Sequence, residues 1–66
     1  MKIFLNGEAT ECEEQLTIAQ LIERHGLLPE ATLVEHNGSA LRARDWPEKM
    51  LRENDRLEIL LIAAGG

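Results

Sequence analysis

Few groups in this 66-residue sequence could do covalent or acid–base chemistry, and they are spread along the chain. His25 and His36, with the hydroxyls of Thr17, Thr32 and Ser39, are the candidates for a nucleophile–base pair. Ser39 and His36 are close in sequence, but they flank the tight turn Asn37-Gly38 and lack the strained strand-to-helix setting of a nucleophile elbow. Ordinary polar roles are expected for both. Glu8, Glu11, Glu13 and Glu14 form an acidic run that reads as a solvated strand face and loop rather than a metal site. One cysteine and two histidines fall short of a four-ligand zinc site. Cys12 is expected on a core face, where cysteine behaves as a small hydrophobe, and its glutamate neighbours deny it the basic surroundings of a reactive thiol. The glycines are spread over turns, so no phosphate-cradling loop is present.

The remaining candidate is the run Ala63-Ala64-Gly65-Gly66. Four extended residues reach about 13 Å. With no side chain on the last two, such a tail could thread a narrow slot in a partner and present the Gly66 carboxylate to a reactive centre. Ala64, Gly65 and Gly66 are therefore the expected threading segment, and residues 63–66 are expected to extend from a single domain spanning 1–66 as a flexible tail.

Size and charge agree with a chain that is acted upon. A domain this small buries only about 60% of the surface of its unfolded chain and has little room for a cofactor pocket. No bound cofactor and no metal are expected. A single cysteine allows no internal disulfide, which fits a reduced, cytoplasmic setting. Twelve acidic residues against seven basic ones give a net charge of −5. The basic residues are scattered, which argues against nucleic acid and against a membrane surface. No run is long enough to span a bilayer, and the start Met1–Gly7 lacks the apolar stretch of a signal peptide. A basic protein surface is the expected partner, and a monomer is the expected free state.

Positioning the tail falls to short, well-punctuated elements. Met1–Leu5 is β-prone and is followed by Asn6-Gly7, a strong hairpin signal, so Glu8–Glu13 is the returning strand. That turn places Leu5 opposite Glu8, Phe4 opposite Ala9, Ile3 opposite Thr10 and Met1 opposite Cys12. Met1, Ile3, Leu5 and Cys12 then face the core and Phe4 faces outward. Thr17 caps a helix with Ile18, Leu21 and Ile22 on its buried side, Gln20 completing a capping box and Gly26 ending it. Thr32–His36 is a strand, Asn37-Gly38 a second hairpin turn, and Ser39–Arg42 a short partner strand. Asp45-Trp46-Pro47-Glu48 reads as the start of a short helix capped by Asp45 and ending near Arg52. Arg56–Ala63 is a continuously apolar last strand, expected in the middle of the sheet between the first and third. The fold class is α+β, in the order β-β-α-β-β-(short helix)-β. Phe4, Leu33, Leu60 and Ile62 then point outward from three neighbouring strands, an apolar patch expected to dock a partner.

The segments Met1-Lys2-Ile3-Phe4-Leu5-Asn6-Gly7, Leu16–Ile22, Val34-Glu35-His36-Asn37-Gly38, Arg44-Asp45-Trp46, Asp55–Ile59 and Gly65-Gly66 together resemble the ThiS family. These are small β-grasp, ubiquitin-like sulfur carriers of thiamine biosynthesis, and the resemblance covers essentially the whole chain. Glu53-Asn54-Asp55 departs from the Gly-Asp turn common in the family, and Pro47 follows the tryptophan. The resemblance implies no catalysis by the chain itself. It implies adenylation of Gly66 by a ThiF-type adenylyltransferase that uses ATP, then conversion to a thiocarboxylate with sulfur from a persulfide donor enzyme. Delivery to a thiazole synthase of the ThiG type follows. A small subunit of molybdopterin synthase and a ubiquitin-like protein modifier share the diglycine end. The former usually approaches it through proline, absent from Leu61-Ile62-Ala63-Ala64.

Overall fold

The computed structural model describes residues 1–62. Two Asn-Gly turns set its frame. Asn6 and Gly7 have φ of 51° and 85°, and Asn37 and Gly38 have φ of 51° and 88°. Those are the left-handed values that a type I′ turn requires at both central positions. The first turn joins β1 (Lys2–Leu5) to β2 (Glu8–Glu11), and the second joins β3 (Thr32–His36) to β4 (Ser39–Leu41). Leu5 pairs with Glu8, Phe4 with Ala9 and Ile3 with Thr10, as the turn position predicts. The Cys12 N–H donates to the Met1 carbonyl at 2.9 Å, continuing the pairing one step beyond the strands.

The helix α1 (Ile18–Arg24) is fixed at both ends by its own sequence. Thr17 Oγ1 accepts from the Gln20 N–H at 3.1 Å, and Gln20 Oε1 accepts from the Thr17 N–H at 2.9 Å. Two otherwise orphaned helix donors are thereby satisfied. At the other end Gly26 takes a φ of 68°, which costs a residue without a Cβ nothing. Its N–H donates to the Glu23 carbonyl, and the Leu27 N–H donates to that of Ile22. This is the Schellman closure, and half-buried Leu27 packs on the core beside it.

The last strand β5 (Arg56–Leu61) lies in the middle of a five-stranded sheet of order β2-β1-β5-β3-β4. It runs parallel to β1 and antiparallel to β3. Ile3, Val34 and Leu57 from the sheet meet Ile18, Leu21 and Ile22 of α1, with Leu16, Trp46 and Leu51 closing the core. The observed architecture is the mixed-sheet, one-helix arrangement expected from the sequence.

The segment after β4 differs from expectation. It is a 3₁₀ helix, Ala43–Glu48, preceded by Arg42, with no side-chain cap. Asp45 lies inside it. Pro47 has no N–H to give to an α-helical ladder, so bonds of the tighter kind remain, from Asp45 N–H to the Arg42 carbonyl and from Lys49 N–H to that of Trp46. Continuation to Arg52 is prevented because residues beyond Glu48 pair with the approach to α1. The Ile18 N–H donates to the Lys49 carbonyl and the Leu51 N–H to that of Leu16. A further 3₁₀ turn, Pro29–Ala31, sits in the connection before β3. Of the expected last strand, Arg56–Leu61 is extended and paired; residues 63–66, the expected tail, lie outside the described residues.

Candidate functional site

Ala64, Gly65 and Gly66 lie outside the described residues, so the site is described by the strand that leads to them and the face around it. That strand is clamped from both sides. The Phe4 N–H donates to the Asp55 carbonyl and the Asn6 N–H to that of Leu57, each at 2.8 Å. β1 ends at Leu5, which would leave the Ile59 N–H without a strand partner; Asn6 Oδ1 accepts it at 2.7 Å. From the opposite side the Asn37 backbone and side chain take the Arg56 carbonyl and N–H, each at 2.8 Å. The two turn asparagines thus grip the same strand. A last bond, from the Ile62 N–H to the Ala31 carbonyl at 2.8 Å, fixes the chain at the edge of the described region.

On the sheet face away from α1, Leu33 and Leu60 are directly opposite each other. They are 53% and 64% exposed, and Ile62, next along the same side, is 45% exposed. Phe4 lies at the other end of that face, opposite Arg56, half-buried and with Lys2 Nζ over its ring at 5.2 Å. Arg56 and Glu58 occupy the outward positions of β5 between Phe4 and Leu60. Of the four patch residues, the structure brings Leu33, Leu60 and Ile62 together and sets Phe4 apart. Leu28 and Leu61 are exposed as well. Neither belongs to the expected patch, which draws only on outward strand positions; Leu61 is on the opposite side of β5 from Leu60, and Leu28 is in the connection before β3.

The groups first considered for chemistry are engaged elsewhere. His36 pairs in register with Ser39, but its ring is turned to Asp55, with Nε2 donating to Oδ2 at 2.9 Å. His25 Nδ1 lies 3.0 Å from the Leu21 carbonyl. Cys12 is half-buried, and burial pushes its thiol up; the N-terminal ammonium opposes this, and Glu11 and Glu53 add to it. It is therefore a thiol rather than a thiolate near neutral pH. Glu13 of the acidic run pairs with Arg24. Among the described residues no three His, Cys, Asp or Glu side chains are grouped to hold a metal, and no helix is long and apolar enough to cross a membrane. Asp55 was missed as more than a turn residue. Its signal was the pairing of Asn37 with Asp55, 18 residues on, visible only once β3 and β5 are known to be neighbours.

Comparison with known proteins matches this geometry. The fold superposes on the crystal structure of the thiamine biosynthesis protein (ThiS) from Geobacter metallireducens with a TM-score of 0.85, 25% identity and full coverage of both chains. A solution NMR structure of a thiamine biosynthesis protein from the same organism gives 0.82 at 25% identity, covering all of this chain and 88% of that one. A thiazole synthase from Magnetococcus marinus is 33% identical over 66 residues, which is all of this chain but only 20% of that relative. The ThiS family itself is matched over residues 3–66, nearly end to end, and the chain belongs to that family.

Proposed function

We propose that this chain is a sulfur carrier that works through the Gly66 carboxylate. The observation that carries the reading is the ThiS-family match, which runs to residue 66 and so includes Gly65-Gly66. A carboxylate is a poor electrophile. A ThiF-type adenylyltransferase would join it to AMP, with ATP as donor and pyrophosphate released. The outer sulfur of a persulfide-bearing enzyme would then displace AMP, which leaves with one of the former carboxylate oxygens, giving an acyl disulfide. A second thiol would attack the donor's sulfur of that disulfide, forming a new disulfide and releasing the thiocarboxylate. Thiazole synthase is the proposed acceptor. A matching segment within a relative named thiazole synthase supports that pairing. The chain is a co-substrate in this scheme; ATP belongs to the partner, and the setting is the cytoplasm.

The clamped strand β5 supports the reading by giving the segment beyond it a fixed point of departure. Phe4, Leu33, Leu60 and Ile62 are the proposed docking residues. The test is intact mass spectrometry after incubation with ATP, a ThiF-type enzyme, a persulfide donor and a thiol reductant. The expected result is exchange of one oxygen for sulfur, abolished by deleting Gly66 with the circular dichroism unchanged. No exchange, or covalent attachment of Gly66 to other proteins, overturns the reading.

A further inference from the structure

Glu35 on β3 and Glu58 on β5 are directly opposite each other, one outward step along from the Leu33–Leu60 pair. Both are exposed. Side chains so opposed have Cβ atoms about 4.5–5.5 Å apart, and like charges there repel. The fold does not demand this, since an outward strand position accepts any polar residue. Neither carboxylate has an internal cation: the ion pairs among the described residues are Arg24–Glu13 and His36–Asp55. Arg56, two positions before Glu58, instead stands opposite Phe4. From β4 the small Ala40 faces Glu35. The result is a shallow depression of about 540 Å³ lined by Leu33, Glu35, Ala40, Glu58 and Leu60.

We infer that this depression seats an arginine of a docking partner protein, its guanidinium bridging Glu35 and Glu58 and its methylene stem lying on Leu33 and Leu60. A planar fork with five donors can serve two carboxylates at once, which a lysine ammonium does less well. The leucines select an amphipathic side chain over a hydrated ion, because the stem covers apolar surface that an ion would leave wet. The net charge of −5 favours approach of a basic surface from a distance. The inference rests on the docking face proposed above and names what that face recognises.

The test is binding of the full chain to the ThiF-type enzyme and the thiazole synthase of its own organism, measured across a salt series. The variants are Glu35→Gln, Glu58→Gln, their double, and Leu60→Ala. Removing one of two repelling charges leaves the fold at least as stable, so melting temperatures of the glutamine variants should not fall. The double variant should bind about tenfold or more weakly at low salt, and its affinity should depend less on salt. If Leu60→Ala weakens binding while the double variant matches the parent in affinity and salt slope, the arginine seat is wrong and the docking face stands. If neither variant changes binding, both fail. Saturable calcium binding by the free chain, lost in the double variant, would overturn the proposal in favour of a cation.

Discussion

The His36 imidazole and the Asp55 carboxylate meet at 2.9 Å, tying the end of β3 to the start of the strand that leads to Gly66. The carboxylate can only accept, so Nε2 carries the shared proton. Asp55 also takes the Asn37 amide at 3.1 Å and the Arg52 N–H at 2.9 Å. Burial alone would push this carboxyl up. The bonds from His36, Arg52 and Asn37 outweigh it and hold the group below its ordinary value.

A carboxyl depressed in the folded state stabilises above its unfolded pKa of about 3.9 and loses that contribution as the pH falls through the lower folded value. Asp55→Asn should therefore cost about 1–3 kcal/mol at neutral pH, because its one remaining acceptor oxygen cannot serve the three partly buried bonds from His36, Asn37 and Arg52. The difference from the parent should shrink as the pH drops below about 4. Urea unfolding at a series of pH values reads both effects. A constant difference down to acid pH would show that the charge of Asp55 contributes nothing.

Asn54 has a φ of 69°, and its N–H donates to the Lys2 carbonyl at 2.7 Å. It stands where the family commonly has glycine, and asparagine is the side chain that best tolerates this left-handed region. Asn54→Gly should stay within about 0.5 kcal/mol of the parent. Asn54→Val, β-branched, should cost about 1–2 kcal/mol. Thermal melts of the two variants check the contrast.

Local signals made most of the fold legible. Asn6-Gly7 and Asn37-Gly38 fix their own backbone conformation, and a two-residue turn then dictates register, so Phe4 opposite Ala9 followed by counting. Thr17 and Gln20 likewise act within one helical turn. The continuous apolarity of β5 marked it as central. What was not legible depends on contacts distant in sequence. The 3₁₀ helix is cut short by pairing of Leu51 with Leu16. Asp55 looked like a turn residue because its partners lie across the sheet. Phe4 and Leu60 looked contiguous until the register of β1 against β5 put Arg56 opposite Phe4 and Glu58 between them.

Trp46 is the largest side chain in the core at 2% exposed, and its Nε1–H donates to the Leu41 carbonyl at 3.3 Å. Trp46→Ala should cost about 3–5 kcal/mol. At about 0.05–0.15 kcal/mol of stability per residue, a domain of this size has about 3–10 kcal/mol, so that loss takes a large share of it. Thermal melts followed by far-UV circular dichroism should show a melting temperature far below the parent's. Trp46→Phe keeps most of the volume and should remain folded with a lower melting temperature.

Leu57 and Leu60 are three residues apart on β5 and face opposite sides, the first fully buried and the second 64% exposed. Leu57→Ala removes contacts with the core and should cost about 2–5 kcal/mol. Leu60→Ala removes little that the folded chain uses and should cost less than about 0.5 kcal/mol. In exchange, it should weaken binding to the proposed ThiF-type partner, where Leu57→Ala acts only by depleting the folded chain. Urea titration separates the two effects from a binding isotherm measured on the same preparations. If Leu60→Ala lowers stability as much as Leu57→Ala does, Leu60 belongs to the core and the outward face of β5 is not a docking surface. If it lowers neither stability nor binding, the partner approaches from elsewhere, and the other exposed leucines, Leu61 on the opposite side of β5 and Leu28 before β3, become the positions to vary.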